Sequence, residues 1–196
     1  MKTIRSIVTT VSLLALTLLP ARANLLGNGD FNTGDFTGWW TWAADGTQST
    51  AISTTAPYDA TAYALMTSGS STWRDALGQA GVVIGPNTQY ALSFVYNTAA
   101  APSFAVSINY YDSGNNYLNY EWVPTVLSTS GAWSTYSGNF TTPANTASLN
   151  LEFDLYSPGA VQLDNVSLTP VTVPEPASMV LWGGAGLIIF VLRRRL

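Results

Sequence analysis

The chain contains no cysteine and no histidine among its 196 residues. Without cysteine there is no disulfide to staple an exported domain, so a fold of this size rests on its core alone. Without histidine the commonest general base and the commonest metal ligand are both missing. With both residue types gone, Ser-His-Asp and Cys-His arrangements are excluded. Charge is scarce as well, at 9% of residues and a net of −4, and positive charge is scarcest of all. Between Asn24 and Val173 a single arginine, Arg74, stands against ten Asp and Glu residues, a net of −9. Phosphate contacts need a basic surface, so nucleic acid is excluded as a partner. A sustained helical period is also missing from this middle stretch.

What is there instead is period two. Tyr90, Leu92, Phe94 and Tyr96 fall on one face, with Ala91, Ser93 and Asn97 on the other. Phe104, Val106, Ile108 and Tyr110 repeat the arrangement, and Leu149, Leu151, Phe153 and Leu155 do so opposite Asn150, Glu152 and Asp154. Such alternation marks half-buried antiparallel strands. Further strands are expected at 25–26, 39–43, 62–67, 76–83, 133–140 and 161–168, divided by Gly, Pro, Asn and Ser clusters. The expected fold is all-β, an antiparallel sandwich over residues 24–170 with two sheets burying their apolar faces against each other. Val161 and Leu163 share a face, yet the next apolar residues are Val166 and Leu168. The register must therefore slip at Asp164-Asn165, and one extra residue there means a bulge. A bulged Asp164 is either a metal ligand or a solvated or hydrogen-bonded aspartate, and the pattern alone leaves these readings open.

The two ends carry addresses. Lys2 and Arg5, an apolar stretch from Ile7 to Leu19, and Ala21-Arg22-Ala23 form a signal peptide over residues 1–23, with cleavage expected after Ala23. Residues 171–196 hold Pro174, Glu175 and Pro176, an uncharged run from Ala177 to Leu192, and Arg193, Arg194 and Arg195. The run would be about 24 Å long as a helix, short of the ~30 Å hydrocarbon core but coverable by thinning or snorkelling arginines. The arginines would hold that end on the cytoplasmic side, and the prolines would make a stiff spacer outside. A single transmembrane helix serving as a plain anchor is one reading. In layout, the Pro-Glu-Pro box, hydrophobic helix and arginine cluster also resemble the PEP-CTERM sorting signal of Gram-negative bacteria. That resemblance implies recognition by an exosortase, a membrane cysteine protease-transpeptidase, and delivery to the envelope, the cell surface or the extracellular matrix.

A second resemblance covers nearly all of the middle. Asn24-Leu25-Leu26-Gly27-Asn28-Gly29-Asp30-Phe31 followed by Gly38-Trp39 is similar to the first strand of jelly-roll carbohydrate-binding modules with the galactose-binding-like fold. Gly131-Ala132-Trp133, Phe140-Thr141 and Leu163-Asp164-Asn165-Val166-Ser167-Leu168 are similar to their closing strands. The resemblance implies first and last strands lying side by side and often sharing a structural calcium. Its matching positions are the Asp30 carbonyl, the Asn32 side chain and Asp164; Asn32 stands where a glutamate is usual, so the set is one charge short. Calcium takes six to eight oxygens, carbonyls among them.

Seven tryptophans and ten tyrosines exceed what one core needs. Sugar sites stack rings on aromatic faces and fix hydroxyls with a few placed polar groups. Trp39 is expected in the core and Trp40 on the exposed face of the same strand. Trp73 with Arg74 and Asp75, and Tyr117, Tyr120 and Trp122 with Asn115, Asn116 and Asn119, form the candidate ligand-facing clusters, presented by a hairpin turn over 112–116. For hydrolysis, two carboxylates would have to flank a cleft about 5–9.5 Å apart. Glu152 and Asp154 share one strand face about 7 Å apart, but the pattern reads more simply as a solvated face, and no catalytic residue is assigned. The favoured role is non-catalytic binding of extracellular polysaccharide. The alternatives are a self-associating surface or biofilm protein without a small ligand and, below that, a glycoside hydrolase.

Overall fold

The computed structural model describes residues 23–43, 46–59, 61–69, 72, 74–98, 103–123 and 131–171. The signal segment over 1–22, Trp73 and the sorting segment over 172–196 lie outside the described residues, and with them Pro174 to Pro176 and Arg193 to Arg195. Ten strands make up the described fold: β1 (Trp40–Ala43), β2 (Gln48–Ser53), β3 (Tyr63–Ser68), β4 (Asp75–Val83) and β5 (Gln89–Asn97), then β6 (Phe104–Tyr111), β7 (Tyr117–Val123), β8 (Ser134–Thr141), β9 (Ser148–Leu155) and β10 (Gly159–Pro170). They form two five-stranded antiparallel sheets ordered β1-β4-β9-β6-β7 and β2-β3-β10-β5-β8. The expected all-β sandwich is the observed one, and no helix of the described residues is long and apolar enough to cross a membrane.

Alternation builds the core. Val106, Ile108 and Tyr110 of β6 and Leu149, Leu151, Phe153 and Leu155 of β9 are buried, as are Leu92, Phe94 and Tyr96 of β5 across from them. The sheets meet at the rings of Phe94 and Phe153, 5.2 Å apart and edge to face. Burying each such side chain contributes ~1.5–3 kcal/mol, so the core can stand without disulfides. Trp39 closes one end, packed at a tilt against Phe31 and Phe153, with its indole N–H donating to the Gly27 and Asn28 carbonyls.

Three expectations need correction. Residues 25–26 are not a strand but part of a run of bends and turns. Leu25 still lies along β10, its N–H donating to the Leu168 carbonyl, while the Asn24 side chain accepts from the Leu168 N–H and donates to the Val166 carbonyl. A side chain thus occupies places that a backbone ladder would have filled. Strands β2 and β7 were not among the expected ones. Gln48–Ser53 is too polar to show alternation, and β7 is exposed along most of its length. The bulge in β10 is where the pattern put it: Asp164 pairs with Val95 and Ser167 with Ser93, with two residues against one between them, and Asn165 turns to φ +49°. It does not solvate the carboxylate, however; Asp164 is completely buried.

Gly29 fits this junction because nothing larger can. A Cβ there would sit on the Val166 carbonyl oxygen, and that residue's N–H donates to the Gly29 carbonyl at 2.7 Å. Gly29→Ala is expected to cost about 2 kcal/mol in urea unfolding, because backbone must move rather than a side chain. Gly27, with nothing within 4 Å of an added Cβ, serves as the control, and its alanine variant should stay within about 0.5 kcal/mol. Equal effects at the two sites would contradict the packing described.

Candidate functional site

The outer face of the β1-β4-β9-β6-β7 sheet carries what the core rejected. Residues that alternate with the buried ones point out: Ser107, Asn109 and Tyr111 from β6, Asn150, Glu152 and Asp154 from β9. Cross-strand pairing lines them up in rows. One row runs Trp40, Gly78, Glu152, Ser107, Trp122 and crosses all five strands. Four inter-strand steps at about 4.8 Å set its two tryptophans roughly 19 Å apart along the backbone. A neighbouring row runs Trp42, Ala76, Asp154, Ala105, and another Asn150, Asn109, Tyr120. Gly78 lets the Trp40 indole lie on the sheet, since a Cβ there would come within 2.7 Å of Trp40 Cε2 and 2.8 Å of the Leu151 carbonyl.

Between the aromatic ends lies a polar floor. A depression of about 370 Å³ is lined by Ser107, Asn109, Tyr111, Tyr120 and Trp122 on one side and by Arg74, Glu152 and Asp154 on the other. One guanidinium nitrogen of Arg74 donates to Glu152 Oε2 at 3.1 Å and to Asp154 Oδ1. The same guanidinium lies 5.5 Å from the Trp42 ring centroid, within cation–π range. Glu152 Oε1 accepts from Asn109 Nδ2 at 3.2 Å. Tyr120 and Trp122 meet edge to face at 5.8 Å, and Tyr111 and Tyr117 at 5.9 Å. About half of each of Tyr120 and Trp122 is open to solvent.

The two carboxylates are not a solvated strand face. Asp154 has no exposed surface, and burial pushes its carboxyl up to about 6. The Arg74 charge pulls the other way, and the Glu152 charge adds to the rise. A carboxyl with no exposed surface cannot protonate a leaving group, and both acids are tied to one guanidinium. The pair therefore does not offer the free acid and base across a cleft that glycoside hydrolysis needs. It offers a fixed array of donors and acceptors beside open aromatic faces, which suits hydroxyl-rich rings.

The sequence profile of a family described as carbohydrate binding domain matches residues 23–159. The chain belongs to that family. No curated protein matches it significantly. Among solved structures, the CBM22-1 xylan-binding domain of Paenibacillus barcinonensis Xyn10C is similar over 78% of this chain and 97% of its own, at 19% identity and a TM-score of 0.60. A family 16 carbohydrate binding module-2 is similar over 74% of this chain and 99% of its own, at 24% identity and a TM-score of 0.54. The enzymatically active domain of bacteriophage CBA120 tailspike protein 4 reaches a TM-score of 0.62 at 15% identity, over 76% of this chain, which spans only 21% of that one. At these identities the structures support the jelly-roll fold alone. The family match is to a binding module.

Of the candidate ligand-facing residues, the carbohydrate-binding domain brings Arg74, Tyr120 and Trp122 together in the depression and sets Tyr117 at its margin against Tyr111. Trp73 lies outside the described residues. Asn116 sits in the 112–116 turn, its N–H and side-chain amide both donating to the Asp112 carboxylate, and Asn119 is exposed on β7 opposite Tyr110, away from the depression. Trp39 is in the core as expected, whereas Trp40 is half-buried rather than open. Ser107, Asn109 and Tyr111 escaped sequence reasoning, although the alternation of β6 already placed them opposite the core residues.

At the metal candidates, Asp164 Oδ1 accepts from the Asn165 N–H while the buried Oδ2 has no hydrogen-bond partner. Burial first, then the charges of Asp59 and Asp30, push this carboxyl up to about 7. Asn32 is exposed and donates its side-chain amide to the Asp30 carboxylate. Among the described residues no three His, Cys, Asp or Glu side chains converge as a metal-holding group. An orphaned buried carboxylate oxygen that feels the charges of two further acids is nevertheless the kind of donor a hard cation takes.

Asp154 gives a pH signature with a defined sign. Its ordinary value is 3.8 and its folded value about 6, so between them the folded state keeps a proton that the unfolded state has lost. This group's contribution therefore falls as pH rises through that window. Asp154→Asn is expected to flatten the decline in urea midpoints from about pH 4 to about pH 6; the residual slope comes from Asp164 and Asp75, which burial raises in the same sense, against Asp35 and Asp112, which hydrogen bonds hold below the ordinary value. Arg74→Met, which strips Asp154 of its counter-ion, is expected to cost about 3–5 kcal/mol at neutral pH. An unchanged slope in the first variant, or no loss in the second, would contradict the ion network.

Proposed function

We propose that this carbohydrate-binding domain holds extracellular polysaccharide without catalysis, on the outer face of the β1-β4-β9-β6-β7 sheet. The observation that carries the reading is the row from Trp40 to Trp122, with a hydrogen-bonding floor between two aromatic ends, in a member of a carbohydrate binding domain family. The family's description as a carbohydrate binding domain supports a polysaccharide as the class of ligand, and the xylan-binding domain that shares the fold is a module of that kind. The signal peptide and the exosortase-type tail support delivery to the envelope and then to the surface or matrix; the mass of the mature chain, lacking both ends, reports that processing.

A rival reading has one observation behind it. β7 is an edge strand, and Tyr117, Leu118, Tyr120 and Trp122 on it are all exposed, the profile of a strand that pairs with another chain. In that case Trp122→Ala would change assembly and leave glycan affinity alone.

We also propose that calcium staples the junction of residues 24–30 with β10, with Asp164 as the anchoring carboxylate, Asp30 contributing its carbonyl and Asn32 its side-chain oxygen. The cation would supply charge neutralisation for the buried acid, a stabilising rather than a reactive role.

Isothermal titration of the full-length chain against xylan, β-glucan and β-1,4-galactan tests the first proposal. Binding to at least one is expected, with Trp122→Ala weakening it about tenfold, the loss of one stacked ring. Absence of binding to every polysaccharide tried, neutral or amino-bearing, would end the glycan reading. For the second, added calcium is expected to raise Tm by several degrees and chelator to reverse it, about 2.7 kcal/mol at a hundredfold excess over Kd. A Tm indifferent to calcium, or a shift that survives Asp164→Asn, would remove the staple.

A further inference from the structure

Arg74 is the only basic residue between Asn24 and Val173, and it lies in the cleft. It is already committed: its guanidinium is bound to Glu152 and Asp154 and faces the Trp42 ring. The floor therefore carries two carboxylates for one cation, in a domain whose remaining charges are all acidic. Asp154 is sealed, so the surplus is presented by Glu152, whose side chain is 15% exposed. Two partly open rings stand on the same face. Trp122 is one strand beyond Ser107 in the row that includes Glu152, and Tyr120 is one strand beyond Asn109, which donates to Glu152. A carboxylate flanked by exposed indole and phenol faces is an arrangement that attracts a cation, through both the ion pair and the ring quadrupoles.

Building on the glycan-binding reading, we infer that the cleft selects its glycan by charge, favouring chains that bear protonated amino groups over uncharged ones and rejecting chains that bear carboxylates. A uronate entering the depression would meet Glu152 with no free cation to pair with, and freeing Arg74 for it would strand the buried Asp154. A hexosamine amine in the same place would neutralise the surplus and lie against Trp122. An uncharged sugar would gain the stacking and hydroxyl contacts only. Selectivity here comes from what the site repels as much as from what it attracts.

The test uses the full-length chain and β-1,4-linked hexamers that differ only in substituent: glucosamine, glucose and glucuronate, with their galacto-configured counterparts, titrated near neutral pH at low and high salt. The amino hexamer is expected to bind about tenfold tighter than the neutral one, and the uronate at least about tenfold weaker, with the spread narrowing as salt rises. Glu152→Gln should pull the amino-to-neutral affinity ratio toward one, a readout that a general loss of the cleft would not move. Should that variant fail to fold, the salt dependence of the unaltered chain decides alone. Equal affinities at low salt, or tightest binding to the uronate, would overturn the charge inference and leave glycan binding standing. No binding to any hexamer of either configuration would overturn both.

Discussion

A single guanidinium holds the outer face of the β1-β4-β9-β6-β7 sheet together. Arg74 bridges Glu152 and Asp154 through one nitrogen and rests beside Trp42, joining strands β9 and β1 across β4. Removing the cation would leave a buried, uncompensated carboxylate in the middle of the sheet, the kind of defect that costs several kcal/mol. The tight pairing also fixes the floor: Glu152 cannot swing away from Arg74 without losing Asn109 as well. Rigidity of that sort lowers the ordering cost of binding at a shallow, open surface.

The floor is placed by the pleat, and the pleat is enforced by the core. Every outward residue of β6 and β9 is one step from a buried one, so the packing of Ile108, Leu151 and Phe153 decides where Ser107, Asn109 and Glu152 stand. A one-residue slip would turn Glu152 and Asp154 toward the core and the leucines outward. With no disulfide to resist such a slip, register depends on interdigitated aromatics such as Phe94 and Phe153, and on the junction where the Asn24 side chain completes the backbone bonding of β10. Stability and site geometry are therefore one property of this fold.

Much of this was legible in the sequence. Strict alternation revealed β5, β6 and β9, and a broken alternation located the bulge at Asp164 to the residue, because period two leaves no slack for an insertion. The lost strands were those whose environment suppresses the pattern. β2 is mostly polar on both faces, and β7 is an edge with few buried positions. At the site, Arg74, Tyr120 and Trp122 stood out by rarity or by exposed aromatic character. Asn116 and Asn119 stood out in the same way but do not line the depression, because a turn asparagine serves its own backbone and Asn119 faces the other way from the rings. The burial of Asp154 could not be read from alternation at all. An acid on the outward face reads as solvated unless the partner from another strand is known, and Arg74 is 80 residues away in sequence.

The central claim is that ligand meets this protein on one sheet face and not on the other. The opposite sheet also carries aromatics, with Trp133 packed edge to face against Tyr58 and Tyr63, so the claim can fail in a specific way. Indole N–H resonances followed by NMR during titration with whichever neutral polysaccharide binds would report the face directly. The account predicts shifts at Trp40, Trp42 and Trp122 with Trp39 and Trp133 unmoved. Shifts centred on Trp133, with the three cleft tryptophans still, would contradict it.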